Sequence, residues 1–550
     1  MKVLDAIAEI LRRESIDTLC CYPTTHLIEA AAKVDIRPII CRQERVGVGI
    51  ADGFARVRNG HPPGVFAMQW GPGAENAIPG IATAFSDSSP ILLLPLGYAR
   101  ERDSLRPNFS AVHGLASITK SVEQINVPNR TIDAMRRAFA ALKTGRPGPV
   151  LVEIPRDVAD SEIEPEQLER YIPVPPARSA ADPAEIEAAV AMLLEAQHPV
   201  VLAGAGVLYA EAHEELAELC ELFRLPAITT MAGKSAISEK LHPYALGSAS
   251  GVMSGTVHHY LTEADVVLAV GTSLARHDLV TPIPAGKRVI HVTNAPDDLY
   301  KTGHTPIALL GDAKLVLRQI IECCREAKSA LGTAREHMAA EIASVREGWL
   351  AEWLPKLTSD EVPINPYRVI WELMREIDPA SAIVTHESGN PRYEMMPFYA
   401  ADGPRSYLGW GKSHQLGTGL GLTMGAKLAA PEKFCAVVMG DSAFGMTGLD
   451  FETAVRARLP VCAIVLKNST MAVETHHLPV SHEKYQARDV GGDYADIARA
   501  LGGWAERIAD PAEVAPAIRR AKAATEDGKP ALLEFITSEE MAYSFLRPFK

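Results

Sequence analysis

One stretch, Phe434 to Thr470, constrains the fold of this chain more than any other: FCAVVMGDSAFGMTGLDFETAVRARLPVCAIVLKNST. An apolar run of strand length, Phe434 to Met439, ends at Gly440, Asp441 and Ser442. Gly445 and Gly448 keep the next turn small. Leu449, Ala454, Val455 and Leu459 are then spaced to bury one face of a helix over residues 449–458. Pro460 stops that helix, and a second apolar run, Val461 to Leu466, ends at Lys467, Asn468 and Ser469. Strand, helix, strand is a βαβ unit with parallel neighbouring strands. Asp441 and Asn468 then leave strand ends about 5 Å apart, on the edge where open α/β sheets bind ligands. One carboxylate and one amide oxygen there suit Mg2+, which is commonly held by one or two carboxylates plus phosphates and water. The N–H groups of Ser442 and Ala443 would face a phosphate group at a helix start.

The rest of the chain repeats the α/β pattern. In the first 165 residues, DTLCCYPTTHLIEAA reads as strand, turn, helix, and RPIICRQERVGVGIADGFARVRNG places Glu44 just past a short strand. The helix after Glu44 carries Gly47, Gly49, Ala51, Gly53 and Ala55 on its packing faces. GVFAMQW, PILLLPLGY and PVLVEIPRDV are further strands. A Pro- and Ala-rich linker leads to a second unit, 184–325, with strands PVVLAGAGV, ADVVLAVGT and KRVIHVT. Gly204-Ala205-Gly206 hints at a dinucleotide site, but no third glycine follows at the right spacing. A charged helical connector, 326–362, precedes a third unit, 363–550. The expected architecture is therefore α/β, with three Rossmann-like parallel-sheet domains.

Charge and cysteine usage narrow the partners. The balance of 55 basic and 68 acidic residues, a net charge of −13, argues against nucleic acid or an anionic membrane surface. No apolar run approaches the ~18 residues of a membrane span. The eight cysteines form no C-x-x-C pair, and several sit in apolar runs. Buried thiols in a reducing compartment are expected, and with them a cytoplasmic protein. The opening helix should bury Val3, Leu4, Ile7, Ile10 and Leu11.

The separation of Asp441 from Asn468 resembles the motif of thiamine-diphosphate enzymes: Gly-Asp-Gly, about two dozen residues, then Asn-Asn. Ser442 stands where that family usually has Gly, and Lys467 where it has the first Asn. Arg42 to Arg58, GPGAENAIPGIATAFSDSSPILLL and GRPGPVLVEIPRDV are similar to the first domain of acetolactate synthase and its relatives. GWGKSHQLGTGLGLTMGAKLA is similar to the segment that shapes the coenzyme's bend. The resemblance implies thiamine diphosphate and Mg2+ as cofactors, with Asp441, Asn468 and the carbonyl of Thr470 as metal ligands. It implies that Glu44 hydrogen-bonds the aminopyrimidine ring and that Leu416 lies under the bend. The implied coenzyme contacts further include Pro23, Gly73, Asn76, Glu387, Ser388, Gly389, His414, Gly440, Ser442, Ala443 and Met471. Some relatives hold FAD or a nucleotide in the central domain; an empty one is expected here. The two ends of the coenzyme bind domains of different subunits in this family, so a homodimer or homotetramer is implied.

The resemblance also bounds the chemistry, because the coenzyme supplies the reactive carbon and the protein supplies position and electrostatics. A 2-oxo acid decarboxylase or carboligase of acetolactate-synthase type is expected. A 2-hydroxyacyl-CoA lyase or oxalyl-CoA decarboxylase is the alternative, so the substrate is a 2-oxo acid, an aldehyde or an acyl-CoA. Glu474, His476 and His113 are the candidate catalytic groups besides Glu44. The Gln-Trp of acetolactate synthases after this position is missing. The last stretch, FITSEEMAYSFLRPFK, reads either as a disordered end or as a lid over the site.

Overall fold

In a computed structural model of the chain, the apolar runs resolve into three sheets of six strands. The structure describes residues 1–277, 279–301, 303, 305–326, 335–547 and 549. Part of the expected connector, 327–334, lies outside them. The first sheet holds β1 (Thr18–Cys21), β2 (Arg37–Ile40), β3 (Gly64–Met68), β4 (Ile91–Gly97), β5 (Ser121–Gln124) and β6 (Val150–Pro155). The second holds β7 (Pro199–Ala203), β8 (Ala227–Thr230), β9 (Ala245–Ala249), β10 (Val266–Val270), β11 (Arg288–Thr293) and β12 (Ile307–Leu310). The third holds β13 (Ala382–His386), β14 (Tyr407–Leu408), β15 (Phe434–Gly440), β16 (Cys462–Lys467), β17 (Trp504–Ile508) and β18 (Ala531–Ile536). All neighbours within these sheets pair in parallel.

Strand order relates the units. The first sheet runs β2-β1-β3-β4-β6-β5 and the third β14-β13-β15-β16-β18-β17, which is the same order counted from each sheet's first strand. The central sheet runs β12-β11-β10-β7-β8-β9, the doubly wound order of dinucleotide-binding folds. The outer units therefore share a topology that no repeat in the sequence displays.

The two outer units are joined through small residues. The helix Glu44–Val57 crosses the helix Gly419–Ala429 at backbone contact. A Cβ on Gly53 would stand 2.1 Å from the Leu422 carbonyl oxygen, and one on Gly425 2.1 Å from that of Ile50. Only glycine allows this approach. One continuous core results, in which Val46, Val48, Ile50 and Phe66 share a cluster with Leu420, Met424 and Val437.

The opening helix, Val3–Arg13, buries all five residues expected to face inward. No disulfide joins the cysteines among the described residues, and all but Cys323 are buried. The helix after β15 differs from the expectation. It begins at Asp441, directly off the strand, and runs to Thr447; a one-turn 3-10 segment and a second helix, Phe451–Ala457, follow. Gly445 and Gly448 sit inside these turns rather than opening them, and Leu449 is 60% exposed instead of buried. The connector helix, Met338–Leu357, buries Ile342 and Leu357, while Trp349, Leu350 and Trp353 pack on the third unit's core.

The tail is docked. Tyr543 donates its hydroxyl hydrogen to Asn390 Oδ1 (2.7 Å), and Asn390 Nδ2 donates to the Glu540 carbonyl (3.1 Å). Farther on, Ser544 Oγ donates to the Met253 carbonyl (2.8 Å), and Phe545 stacks on His258 at 4.2 Å. The segment thus ties the third unit to the central one. No described helix is long and apolar enough to cross a membrane.

Candidate active site

The carboxyl edge of the third sheet gathers the expected metal ligands. β15 and β16 lie side by side with Gly440 opposite Leu466, so Asp441 and Asn468 leave neighbouring strand ends. Asp441 is 2% exposed, and its two oxygens accept the N–H groups of Ser442 (2.8 Å) and Ser469 (2.7 Å). Burial pushes this carboxyl above its ordinary range, and the two N–H groups pull it back. Asn468 Oδ1 accepts from the Thr470 N–H at 3.1 Å. The Ser442 N–H, expected to be open to a phosphate, is turned to Asp441. The Ser442 hydroxyl is open in its place: its oxygen is buried with no hydrogen-bond partner among the described residues.

These residues line one cavity. Gly440, Asp441, Ser442 and Ala443 form one wall and Asn468, Thr470 and Met471 another. Ser388, Gly389 and Leu416 face them, and Glu394 closes an end. Glu387, just behind, is fully buried at the end of β13. Its carboxylate accepts the N–H groups of Ser388 (2.9 Å) and Gly419 (2.8 Å), the latter at the start of the helix that crosses Glu44's own. Burial pushes Glu387 up to about 7. Ser388 Oγ donates to the His414 carbonyl at 2.8 Å, which fixes the approach of the loop carrying Leu416. Arg45 Nη2 donates to the Leu416 carbonyl at 2.5 Å, so the Glu44 helix also holds that loop.

Lys467, in place of the family's first Asn, turns away from the cavity. Its ammonium meets the buried Glu534 at 3.0 Å and donates to the Gly492 carbonyl at 2.6 Å. The substitution is thereby absorbed by an ion pair beneath the loop.

The other candidates lie outside this cavity within one chain. Glu44 is 4% exposed as the first residue of its helix, with Asn76 Nδ2 donating to it at 3.3 Å and Gly73 leaving room beside it. Burial pushes its carboxyl up, against its own backbone N–H and Asn76. Pro23 is exposed on the loop after β1. His113 is exposed and paired with Ser110 Oγ at 2.8 Å. Glu474 is half-buried in a one-turn 3-10 helix, and His476 is exposed just beyond it. Sequence reasoning missed Glu394 and Arg392, on the helix Asn390–Phe398, which are 1% and 3% exposed. Neither occupies a recognisable motif position; their only signal is burial, which the sequence does not display.

A second cavity lies at the crevice where the central sheet's strand order reverses. It is lined by Gly204, Gly206, Gly271 and Thr272 from the β7 and β10 ends, with Asp298 and Asp312 nearby.

The donor set fits a metal-bridged diphosphate. It offers a buried carboxylate and an amide at adjacent strand ends, an unpartnered hydroxyl, and a wall free of bulky side chains at Gly389 and Gly440. Three parallel-sheet units, the outer two alike in topology, with such a cavity at a sheet edge, define a coenzyme-binding α/β enzyme. Comparison with known proteins is more specific. Residues 1–119 match the thiamine pyrophosphate enzyme N-terminal TPP binding domain, 186–320 the central domain, and 387–535 the C-terminal TPP binding domain. The chain is 30% identical over 578 aligned residues to a probable acetolactate synthase large subunit of Methanococcus aeolicus, covering 100% of this chain and 94% of the relative. It is 27% identical over 556 residues to a glyoxylate carboligase of Escherichia coli O157:H7, covering 95% and 91%. It is 28% identical over 562 residues to a sulfoacetaldehyde acetyltransferase of Alcaligenes xylosoxydans xylosoxydans, covering 94% and 89%. The chain belongs to the thiamine pyrophosphate enzyme family and is an enzyme of the thiamine-diphosphate-dependent class.

Proposed function

We propose that this enzyme makes or breaks the carbon–carbon bond next to the carbonyl of a 2-oxo acid, as an acetolactate-synthase-like carboligase or decarboxylase. The observation that carries this is the cavity shared by Asp441, Asn468 and the unpartnered Ser442 hydroxyl. When bound, thiamine diphosphate supplies a nucleophilic carbon that adds to a carbonyl and takes up electrons as the neighbouring bond cleaves. Asp441, Asn468 and the Thr470 carbonyl would hold Mg2+; the Ser442 hydroxyl, Ser388 and the Gly440 and Gly389 backbones would cradle the diphosphate. Leu416 supports the bend of the coenzyme. Glu44, whose carboxyl is raised by burial, would hydrogen-bond the coenzyme's aminopyrimidine ring and hold a proton there. Glu474, His476 and His113 serve the substrate side.

Glu44 does this work from a second copy of the chain. Ile78 and Phe85 on the helix Pro72–Ser86 are 37% and 40% exposed, and Met446 in the Asp441 helix and Leu449 just after it are 53% and 60% exposed. Such exposed apolar side chains on the first and third units favour a homodimer, or a tetramer built from it. The central cavity is not required for this chemistry. A cytoplasmic location fits eight cysteines outside any disulfide.

A second reading, an acyl-CoA substrate, is favoured by one observation. A cavity of about 730 Å³ lined by Arg276, Lys287 and Arg547 lies beside His277, whose ring is 5.7 Å from that of His414. Cationic side chains there suit the phosphates of coenzyme A. A screen of 2-oxo acids and 2-hydroxyacyl-CoA esters, with detection of aldehyde and carbon dioxide, tests both. Turnover of 2-oxo acids unaffected by free coenzyme A supports the first reading. Turnover of acyl-CoA esters alone would replace it by the second.

A further inference from the structure

The cavity contains a carboxyl group that the coenzyme chemistry does not use. Glu394 lies one turn into the helix Asn390–Phe398, lines the cavity together with Asp441 and Asn468, and is 1% exposed. Its Oε2 is buried without a hydrogen-bond partner among the described residues. An ionised carboxylate in that position would be unpaired and would face the same cavity as Asp441, a costly arrangement. A neutral carboxylic acid has the opposite character: it presents an O–H donor to whatever enters.

We propose that Glu394 is a hydrogen-bond donor of the site, whose neutral carboxyl group binds an anionic oxygen of a phosphorylated ligand in the cavity. This rests on the coenzyme reading above, and the ligand class is a diphosphate ester. The surroundings favour the acid form. Glu540, on the tail, is the charged neighbour; it stays ionised through Lys356 (2.5 Å) and Asn365 (3.1 Å) and so opposes a second negative charge at Glu394. Burial first, and Glu540 second, push Glu394 up to about 8. Tyr367 and Tyr543, which also face it, are themselves held neutral by burial, and Asp441 lines the same cavity. Of the strands beneath the helix, β9 and β15 bring no carboxylate or base. The β13 pair is engaged elsewhere, His386 with Trp410 and Glu387 with Gly419.

The tail takes part in this. Asn390 at the head of the helix is bonded to Glu540 and Tyr543. The charged residue that adds to the effect of burial on Glu394 is therefore brought to it by the docked tail.

The test is the affinity of the full-length protein for thiamine diphosphate at saturating Mg2+, by calorimetric titration from pH 7 to pH 9. In the wild type the Kd is expected to rise about tenfold across that range, as the donor ionises above about pH 8. Glu394→Gln keeps a donor that cannot ionise; it is expected to bind within threefold of wild type at pH 7, with a flat profile. Glu540→Gln removes the neighbouring charge and is expected to move the wild-type break to lower pH. Equal slopes in wild type and Glu394→Gln, or an unmoved break in Glu540→Gln, would overturn the role of Glu394 and leave the coenzyme reading standing. No binding by the wild type at any pH would overturn both.

Discussion

The carboxylate of Asp441 and the backbone N–H of Ser469 meet at 2.7 Å across two adjacent strand ends. That bond pins the loop carrying Asn468 and Thr470 to the strand carrying the acid. Both walls of the proposed metal position are therefore tied together, which is what a site requires if it is to be formed before its ligand arrives.

Removing that acid should disable ligand binding and leave the fold. Asp441→Ala is predicted to lower thiamine diphosphate affinity by at least a hundredfold in the presence of Mg2+, with an unchanged far-ultraviolet dichroism spectrum. Asp441→Asn keeps the shape and loses the charge, and should fall between. Titration of the coenzyme by calorimetry checks both; affinity within threefold of wild type in Asp441→Ala would remove Asp441 from the site.

Glu44→Gln should separate chemistry from binding. A positioned acid–base group contributes roughly 10²–10⁴ in rate, so turnover should fall by that factor while coenzyme affinity changes by less than tenfold. Deuterium exchange at the reactive carbon of the bound coenzyme gives the direct readout. Exchange at the wild-type rate would contradict the role assigned to Glu44.

The crossing of the helices Glu44–Val57 and Gly419–Ala429 admits no side chain at its closest points. Gly53→Ala and Gly425→Ala each place a methyl about 2.1 Å from a backbone oxygen. Each should destabilise the protein by about 1–3 kcal/mol or more, read as a lower denaturant midpoint. Gly286→Ala, where nothing lies within 4 Å but φ is +84°, tests backbone strain without crowding. It should cost less than the two helix variants.

How much of this was legible beforehand follows from what each residue needed. The β15–β16 unit was readable because both strands are buried apolar runs bounded by polar strand ends. Edge strands such as β5 and β17 were not. Ser121–Gln124 is half-buried throughout, and Trp504–Ile508 alternates only weakly, so neither offers an apolar run. The start of the Asp441 helix is not legible, because Gly445 and Gly448 read as turn residues, whereas Gly445 lies within the helix and Gly448 opens the 3-10 turn after it. Glu387 and Glu394 are side chains whose character is set by burial. Identical letters on a surface helix would titrate normally, and only tertiary packing tells the two apart. The equivalence of the outer units became visible through strand order, because topology is preserved by contacts that many different sequences can make.

Glu387 gives a pH prediction with a definite sign. Its folded-state pKa is pushed from 4.5 up to about 7 by burial. The folded form binds this proton more tightly than the unfolded chain. The associated stability is therefore present below the unfolded value and lost as pH rises through about 7. In the coenzyme-free protein, Glu387→Gln should gain on the wild type by on the order of 2–3 kcal/mol between pH 4.5 and 7.5. Denaturant midpoints across that window measure it, and parallel curves for the two proteins would contradict the assignment.

The most direct measurement of the central claim is the coenzyme content of the purified protein after loading with thiamine diphosphate and Mg2+ and removal of the excess. One coenzyme per chain, retained with Mg2+ and released by a chelator, is the predicted result. Less than a tenth of that in a folded wild-type protein, or retention indifferent to the Asp441→Ala substitution, would contradict it.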